Sequence, residues 1–226
     1  MNDVKVFLGC VFLLLCAACS NRSSKGYQVE KQVALNVLHQ TLYVEVNWDE
    51  KYLKGTTEIT FEVPKTMDSI MLDAAKLRVD EMLFNGTPVD FVVDSEKHEL
   101  RIPNTEIVPK DGIQKITISF QTQHQNMSDP RNIWGSFGEG TRFFEATKTE
   151  QERRKQLWAF GEPNGSKFWF PCHDSPDDNR TTEIKVTVPK GLQALASGAL
   201  KTTETGESTT RYTYSGEKEY PAHQTF

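Results

Sequence analysis

Along most of the chain, apolar and polar residues alternate with a period of two. In TLYVEVNWDE, Leu42, Val44 and Val46 fall on one face and Tyr43, Glu45 and Asn47 on the other, which predicts a half-buried strand. KYLKGTTEITFEVP follows with Ile59, Phe61 and Val63 in phase and ends at Pro64. Gly55, between the two runs, is expected to mark a bend or bulge rather than a strand centre. Further β-prone runs cover 70–72, 77–84 and 89–93, and Asn85-Gly86 between apolar runs signals a hairpin. HELRIP and QKITISFQTQ continue the pattern, with Ile116, Ile118 and Phe120 on one face. TTEIKVTVP alternates through Ile184, Val186 and Val188 before a turn at 189–191, and LQALASGALKTT and RYTYSG supply two more strand candidates. No long amphipathic helix interrupts the series, so the expected class is all-β, of sandwich type.

Two stretches break the alternation. At the amino end, Lys5 precedes a nearly continuous apolar run over 6–15, then Ala17, Ala18 and Cys19, then polar SNRSSKG. The run is short for a bilayer span and suits a cleaved signal peptide. Cys19 directly after the small residues resembles a bacterial lipobox, although Cys16 stands where Leu is usual. The expected organisation is a lipoprotein-type signal peptide at 1–18, a polar tether at 19–27 and a β domain at 28–226. Cys19 would carry the lipid, and the protein would be anchored to a bacterial membrane, in the periplasm or at the cell surface. Cleavage there leaves Cys19 and Cys172, so no disulfide framework staples the domain and its core must hold it together.

The second break lies between Thr122 and Phe170, where IWGSFGEGTRFF is followed by the charged run TEQERRKQ. Thr149 and Glu152 have capping-box spacing for a short helix through Leu157; a solvated loop is the alternative, and the pattern leaves both open. Trp134, Phe137, Phe143, Phe144, Trp158, Phe160, Phe168, Trp169 and Phe170 crowd this region, read first as packing and second as an aromatic-lined cleft.

Composition narrows the chemistry. Over 226 residues, 26 basic and 31 acidic side chains give a net charge of -5, so no cationic field is available for nucleic acid. H-E-x-x-H, G-x-S-x-G and the phosphate-cradling P-loop are all absent. His173, Asp174, Asp177 and Asp178 cluster in sequence but read as an ordinary polar turn, because a metal site needs convergent ligands. Glu162, between Gly161 and Pro163, is a carboxylate beside aromatic walls that suits a cationic ligand or, more simply, faces solvent in a turn.

FGEP, FPCHDSP and TTEIKVTVP, in that order and spacing, resemble the amino-terminal domain of the aminopeptidase N-like zinc metallopeptidases, as does the earlier YVEVNWDEKYLKGTTEITFEV. The resemblance implies a saddle-like β domain that packs on a thermolysin-like catalytic domain, and Zn2+ held by that other domain. It also implies that Glu162 anchors the free α-amine of a peptide substrate, since an exopeptidase must fix a terminal ammonium to place the scissile bond. Phe160 stands where the family often has Gln two residues before this Glu, so by resemblance any polar role at that position is lost or moved, which bears on the first specificity pocket rather than on the amine anchor. The catalytic half of the family pattern does not occur in the 226 residues. The chain is therefore expected to be the amino-terminal portion of an exported aminopeptidase, inactive alone. The alternative is a non-catalytic lipoprotein that binds peptides or proteins.

Overall fold

A computed structural model describes residues 35–62, 69–103, 112–123, 140–145, 148, 151–152 and 154–226. The expected signal peptide and tether, Cys19, Trp134, Phe137 and Thr149 lie outside the described residues. Thirteen strands follow in order: β1 (Asn36–Asn47), β2 (Tyr52–Glu62), β3 (Ser69–Asp73), β4 (Leu77–Phe84), β5 (Thr87–Pro88), β6 (Val92–Asp94), β7 (Glu99–Pro103), β8 (Ile113–Thr122), β9 (Thr141–Phe144), β10 (Gln156–Ala159), β11 (Thr181–Pro189), β12 (Ala199–Thr205) and β13 (Thr209–Ser215). Single 3-10 turns at Ser166–Phe168 and Ala222–Gln224 are the helical structure among the described residues.

Eight strands form one mixed sheet in the order β12-β13-β11-β1-β2-β8-β4-β5. Its pairs are antiparallel except β1 with β11, which run parallel from His39↔Thr181 to Glu45↔Thr187. The alternation read from the sequence sets the buried face. One row runs Ile184, Leu42, Thr57, Ile118, Met82 across five strands, and each of these side chains is at most 1% exposed. A fully buried Leu or Ile contributes about 1.5–3 kcal/mol. The three-stranded sheet β3-β7-β6 supplies Ile70, Leu72, Leu100 and Ile102 to the same core. The opposite face of the large sheet is polar, with Lys115–Glu58 at 2.7 Å, Lys185–Glu183 at 2.8 Å and Lys54–Glu45 at 3.4 Å. Such exposed pairs add little stability.

Several local expectations are corrected. Gly55 is inside β2, paired with Val44 on one side and Phe120 on the other. A Cβ there would lie 2.0 Å from the Tyr43 carbonyl oxygen, so glycine is required by close backbone approach and not by a bulge. The register shifts fall instead at Val37/His39, Val79/Glu81 and Leu200/Thr202. The capping-box helix through Leu157 does not form, because Gln156–Ala159 is strand β10 paired with β9. Of the run over 89–93 only Val92 and Val93 are strand, in β6, and of LQALASGALKTT only the part from Ala199 is strand. The Asn85-Gly86 hairpin is present: both residues take positive φ, 49 and 83, as a type I′ turn demands. The Asn85 carbonyl oxygen Oδ1 accepts from Lys115 N at 3.0 Å.

Candidate functional site

The segment between β10 and β11 carries Glu162. Its entry is fixed by the β9–β10 hairpin, which packs against the β1–β2 turn. Trp48 meets Phe143 edge-on at 5.2 Å. Lys51 and Lys155 lie 5.0 and 4.5 Å from the Trp48 ring centroid, a cation–π arrangement. Trp48 Nε1 donates to Glu145, and Lys51 pairs with the same carboxylate at 2.5 Å. The Lys51 bond, then the Trp48 bond, holds the Glu145 carboxyl below its ordinary value.

Beyond Ala159 the chain enters a closed turn. Gly161 is buried, and Gly165 N donates to its carbonyl oxygen at 2.6 Å. A Cβ at Gly161 would meet Ser166 Oγ at 2.5 Å and the His223 carbonyl oxygen at 2.8 Å. Glycine is what allows the carboxyl-terminal segment to lie so near. The Glu162–Pro163 peptide is cis. Glu162 is exposed at the tip of this turn, and no hydrogen bond or ion pair engages its carboxylate among the described residues. Ser166, fully buried, donates Oγ–H to the Ala222 carbonyl oxygen at 2.8 Å.

The aromatic stretch divides by burial. Phe143, Phe168, Trp169 and Phe170 are inside, Trp169 and Phe170 edge-on at 4.3 Å, whereas Trp158 and Phe160 are 61% and 48% exposed. Packing accounts for the first four. The two exposed rings lie on the approach to Glu162 in the sequence.

After Phe170 the chain is stitched to β3. Asp73 N donates to the Cys172 carbonyl oxygen at 2.7 Å and Cys172 N to that of Asp73 at 3.1 Å. Asp174 N donates to Asp73 Oδ2 at 2.8 Å. Arg180, 1% exposed, then locks the loop. Its Nη1 donates to Gln40 Oε1 at 3.0 Å and its Nη2 to the His173 carbonyl oxygen at 2.6 Å. Nη2 also lies 3.2 Å from Asp178 Oδ2, an ion pair without hydrogen-bond alignment. Asp178 Oδ1 accepts from Val37 N at 3.0 Å, and Gln40 Nε2 donates to Thr57 Oγ1 and the Pro171 carbonyl oxygen at 2.8 and 3.1 Å. Removing one member of such a buried pair leaves an uncompensated charge, at a cost of about 3–5 kcal/mol.

Burial pushes the Asp174 and Asp178 carboxyls up, pushes the His173 imidazole down, and raises the Cys172 thiol well above its ordinary value. These groups do not converge on a metal: Asp177 is exposed, Asp174 accepts from Lys167 N at 3.3 Å, and Asp178 is committed to Val37 and Arg180. Among the described residues no three His, Cys, Asp or Glu side chains could hold an ion. The zinc that the resemblance implies finds no donor set there. The sequence reading placed Glu162 on its turn but missed Gln40, Ser166 and Arg180. The available signal was Asp178 and Arg180 flanking Asn179 immediately before an alternating strand.

An eight-stranded mixed sheet, a second small sheet sharing its core, and a Glu-Pro turn leading through F-P-C-x-D-x-P into a parallel-paired strand define a β domain of the kind that precedes a metallopeptidase catalytic domain. The description of the Peptidase M1 N-terminal domain matches residues 36–222, and the chain belongs to that family. Among solved structures, the M1 zinc metallopeptidase of Deinococcus radiodurans superposes with a TM-score of 0.65 at 21% identity, covering 84% of this chain and 40% of that one. Native yeast LTA4 hydrolase gives 0.68 at 18% identity, covering 94% and 32%. These likenesses establish the shared fold. The transcription initiation factor TFIID subunit 2 of Danio rerio is 22% identical over 210 residues, 80% of this chain and 18% of that protein. The chain thus spans less than half the length of each of these relatives.

Proposed function

We propose that the chain is the amino-terminal portion of an exported zinc aminopeptidase, in which Glu162 pairs with the α-ammonium of a peptide substrate. Zinc and the general base belong to a thermolysin-like domain outside these 226 residues. The observation that carries the reading is the state of Glu162: an exposed carboxylate, unengaged among the described residues, on a turn whose two ends are tied to buried structure. A side chain held this way is oriented without being neutralised, as an ammonium anchor requires. In the protein carrying the catalytic domain, Glu162→Ala should lower kcat/KM more than Glu162→Gln, with tenfold for each ~1.4 kcal/mol lost. Zinc content should stay unchanged, and discrimination between free and acetylated amino ends should weaken. Wild-type amine selectivity in folded, zinc-loaded variants would sink the assignment.

The second reading, a non-catalytic module that docks peptides or proteins, draws support from the relative named as a transcription initiation factor subunit. Reading the gene beyond Phe226 separates the two. G-x-M-E-N and H-E-x-x-H in frame favour the enzyme; a stop codon favours the module.

For the amino end, the reading is lipidation at Cys19 and an extracytoplasmic, membrane-anchored location, motivated by the order Lys5, apolar run, Ala17, Ala18, Cys19. Cys19→Ser should abolish palmitate incorporation in labelled cells, and undiminished label would remove Cys19 as the anchor.

A further inference from the structure

The turn that carries Glu162 is not self-supporting. Within it the closing bond is Gly165 N to the Gly161 carbonyl oxygen, 2.6 Å. Its flanks are tied by Phe160 N to the Gly140 carbonyl oxygen at 3.4 Å and by Ala75 N to the Lys167 carbonyl oxygen at 2.8 Å, and Lys167 Nζ donates to Asn164 Oδ1 at 3.1 Å. The contacts on Gly161 and Ser166 from across the fold come from the segment 220–226. Ser166 Oγ donates to the Ala222 carbonyl oxygen at 2.8 Å, and the backbone of His223 packs so close to Gly161 that a Cβ would lie 2.8 Å from its oxygen. That segment is itself held at both ends, away from the turn. Tyr220 exchanges two backbone bonds with Arg180, at 3.1 and 3.2 Å. At the other end, Ser197 Oγ donates to the Gln224 carbonyl oxygen at 2.9 Å and accepts from Phe226 N at 3.1 Å, while Ser197 N donates to the Phe226 carbonyl oxygen at 3.0 Å. Ser166 and Ala222 are each at most 1% exposed, so water does not replace the bond between them when it is lost.

We propose that Ser166 is a positioning residue for Glu162: through Ala222 it makes the 220–226 segment the template that sets where the Glu162 carboxylate stands. The functional half of this statement rests on the amine-anchor reading. The chain of contacts runs Ser197 to Gln224, through the Ala222–Gln224 turn, to Ser166 and Gly161, and so to Glu162. A disturbance at Ser197, which touches no residue of the Glu162 turn in these bonds, is therefore transmitted to it.

Two measurements on the 226-residue protein test this. Amide hydrogen exchange reads the turn through Gly165 N–H, and NMR titration with leucine amide and acetyl-leucine amide reads the preference for a free amine. Ser166→Ala and Ser197→Ala should each speed exchange at Gly165 about tenfold, the effect of losing one hydrogen bond of ordinary strength. Protection in β2 and β8 should be unchanged in both. Both variants should also reduce the free-amine preference about threefold or more, which a purely structural role would not do at constant global protection. Should Ser166→Ala fail to fold, Ser197→Ala carries the test alone. Unchanged Gly165 exchange in either folded variant overturns the proposal, as does faster exchange with the amine preference intact. A wild-type protein with no free-amine preference overturns the amine-anchor reading and the functional half with it, while the exchange result still decides whether the segment positions the turn.

Discussion

The imidazole of His173 faces Asp178, Asp73 and Arg180, and its Nε2 is buried without a hydrogen-bond partner. Burial lowers its pKa from the ordinary 6.5, and the two carboxylates only partly offset that while Arg180 adds to it. The unfolded chain therefore takes up the proton first as pH falls through 6.5. Stability is fully present above that value and is lost below it, down to the folded value. Asp174 and Asp178, raised above the ordinary 3.8 by burial, act with the opposite sign in their own window. There the folded state binds protons more tightly, and stability falls as pH rises. The net expectation is a melting temperature that drops between about pH 7.5 and 5.5, by on the order of 2–4 °C for each kcal/mol lost. His173→Gln should flatten that drop. Equal slopes for the two proteins in circular-dichroism melts would show that His173 does not govern the acid response.

At the scale of elements, β2 makes the sharpest demand on the sequence. Gly55 is flanked by Val44 and Phe120, and any side chain there drives into the Tyr43 carbonyl. Gly55→Ala must separate β1 from β2 locally, and a loss of several kcal/mol, roughly the upper range for overpacking, is expected. Urea denaturation would measure it, with Gly86→Ala as a comparison at a turn where a Cβ meets nothing within 4 Å but φ is positive. A Gly55→Ala protein as stable as wild type would mean that β2 does not hold this register. The element scale is also where sequence and structure can be compared most directly. Strands β1, β2, β8 and β11 were legible because their buried and exposed positions alternate, and Asn85-Gly86 because its backbone preference is local. Gly55 was misread because its reason is a neighbouring strand's carbonyl, which composition does not carry. The parallel join of β1 to β11 and the Gln40–Arg180–Asp178 lock were illegible for the same reason: their partners are about 140 residues apart. Glu162 could be singled out as a candidate because its neighbours keep a fixed spacing, whereas Ser166, whose partner is 56 residues away, carried no local sign.

At the scale of the whole molecule, the question is what chemistry the 226 residues can supply by themselves. Activating water at neutral pH requires three protein ligands on zinc with an open position and a base beside it. The sequence has no H-E-x-x-H, and the described residues supply no ligand set. The purified 226-residue protein, given zinc and aminoacyl arylamides, should therefore stay at background. Turnover that a chelator abolishes and zinc restores would overturn this expectation.

The parallel pairing of β1 with β11 also has a consequence for how the chain is made. His39 meets Thr181 across 142 residues. At roughly 5–20 residues per second, a ribosome takes about 7–28 s to add that stretch. Through that interval β1 can pair with β2 on one side, but its other edge has no partner from its own chain. Pairing of such distant segments is slow even after synthesis ends, because the intervening loop must close first. The nascent protein thus carries an unpaired, apolar strand edge for many seconds, and agents that shield such edges should act on it during this period and not after β11 has docked.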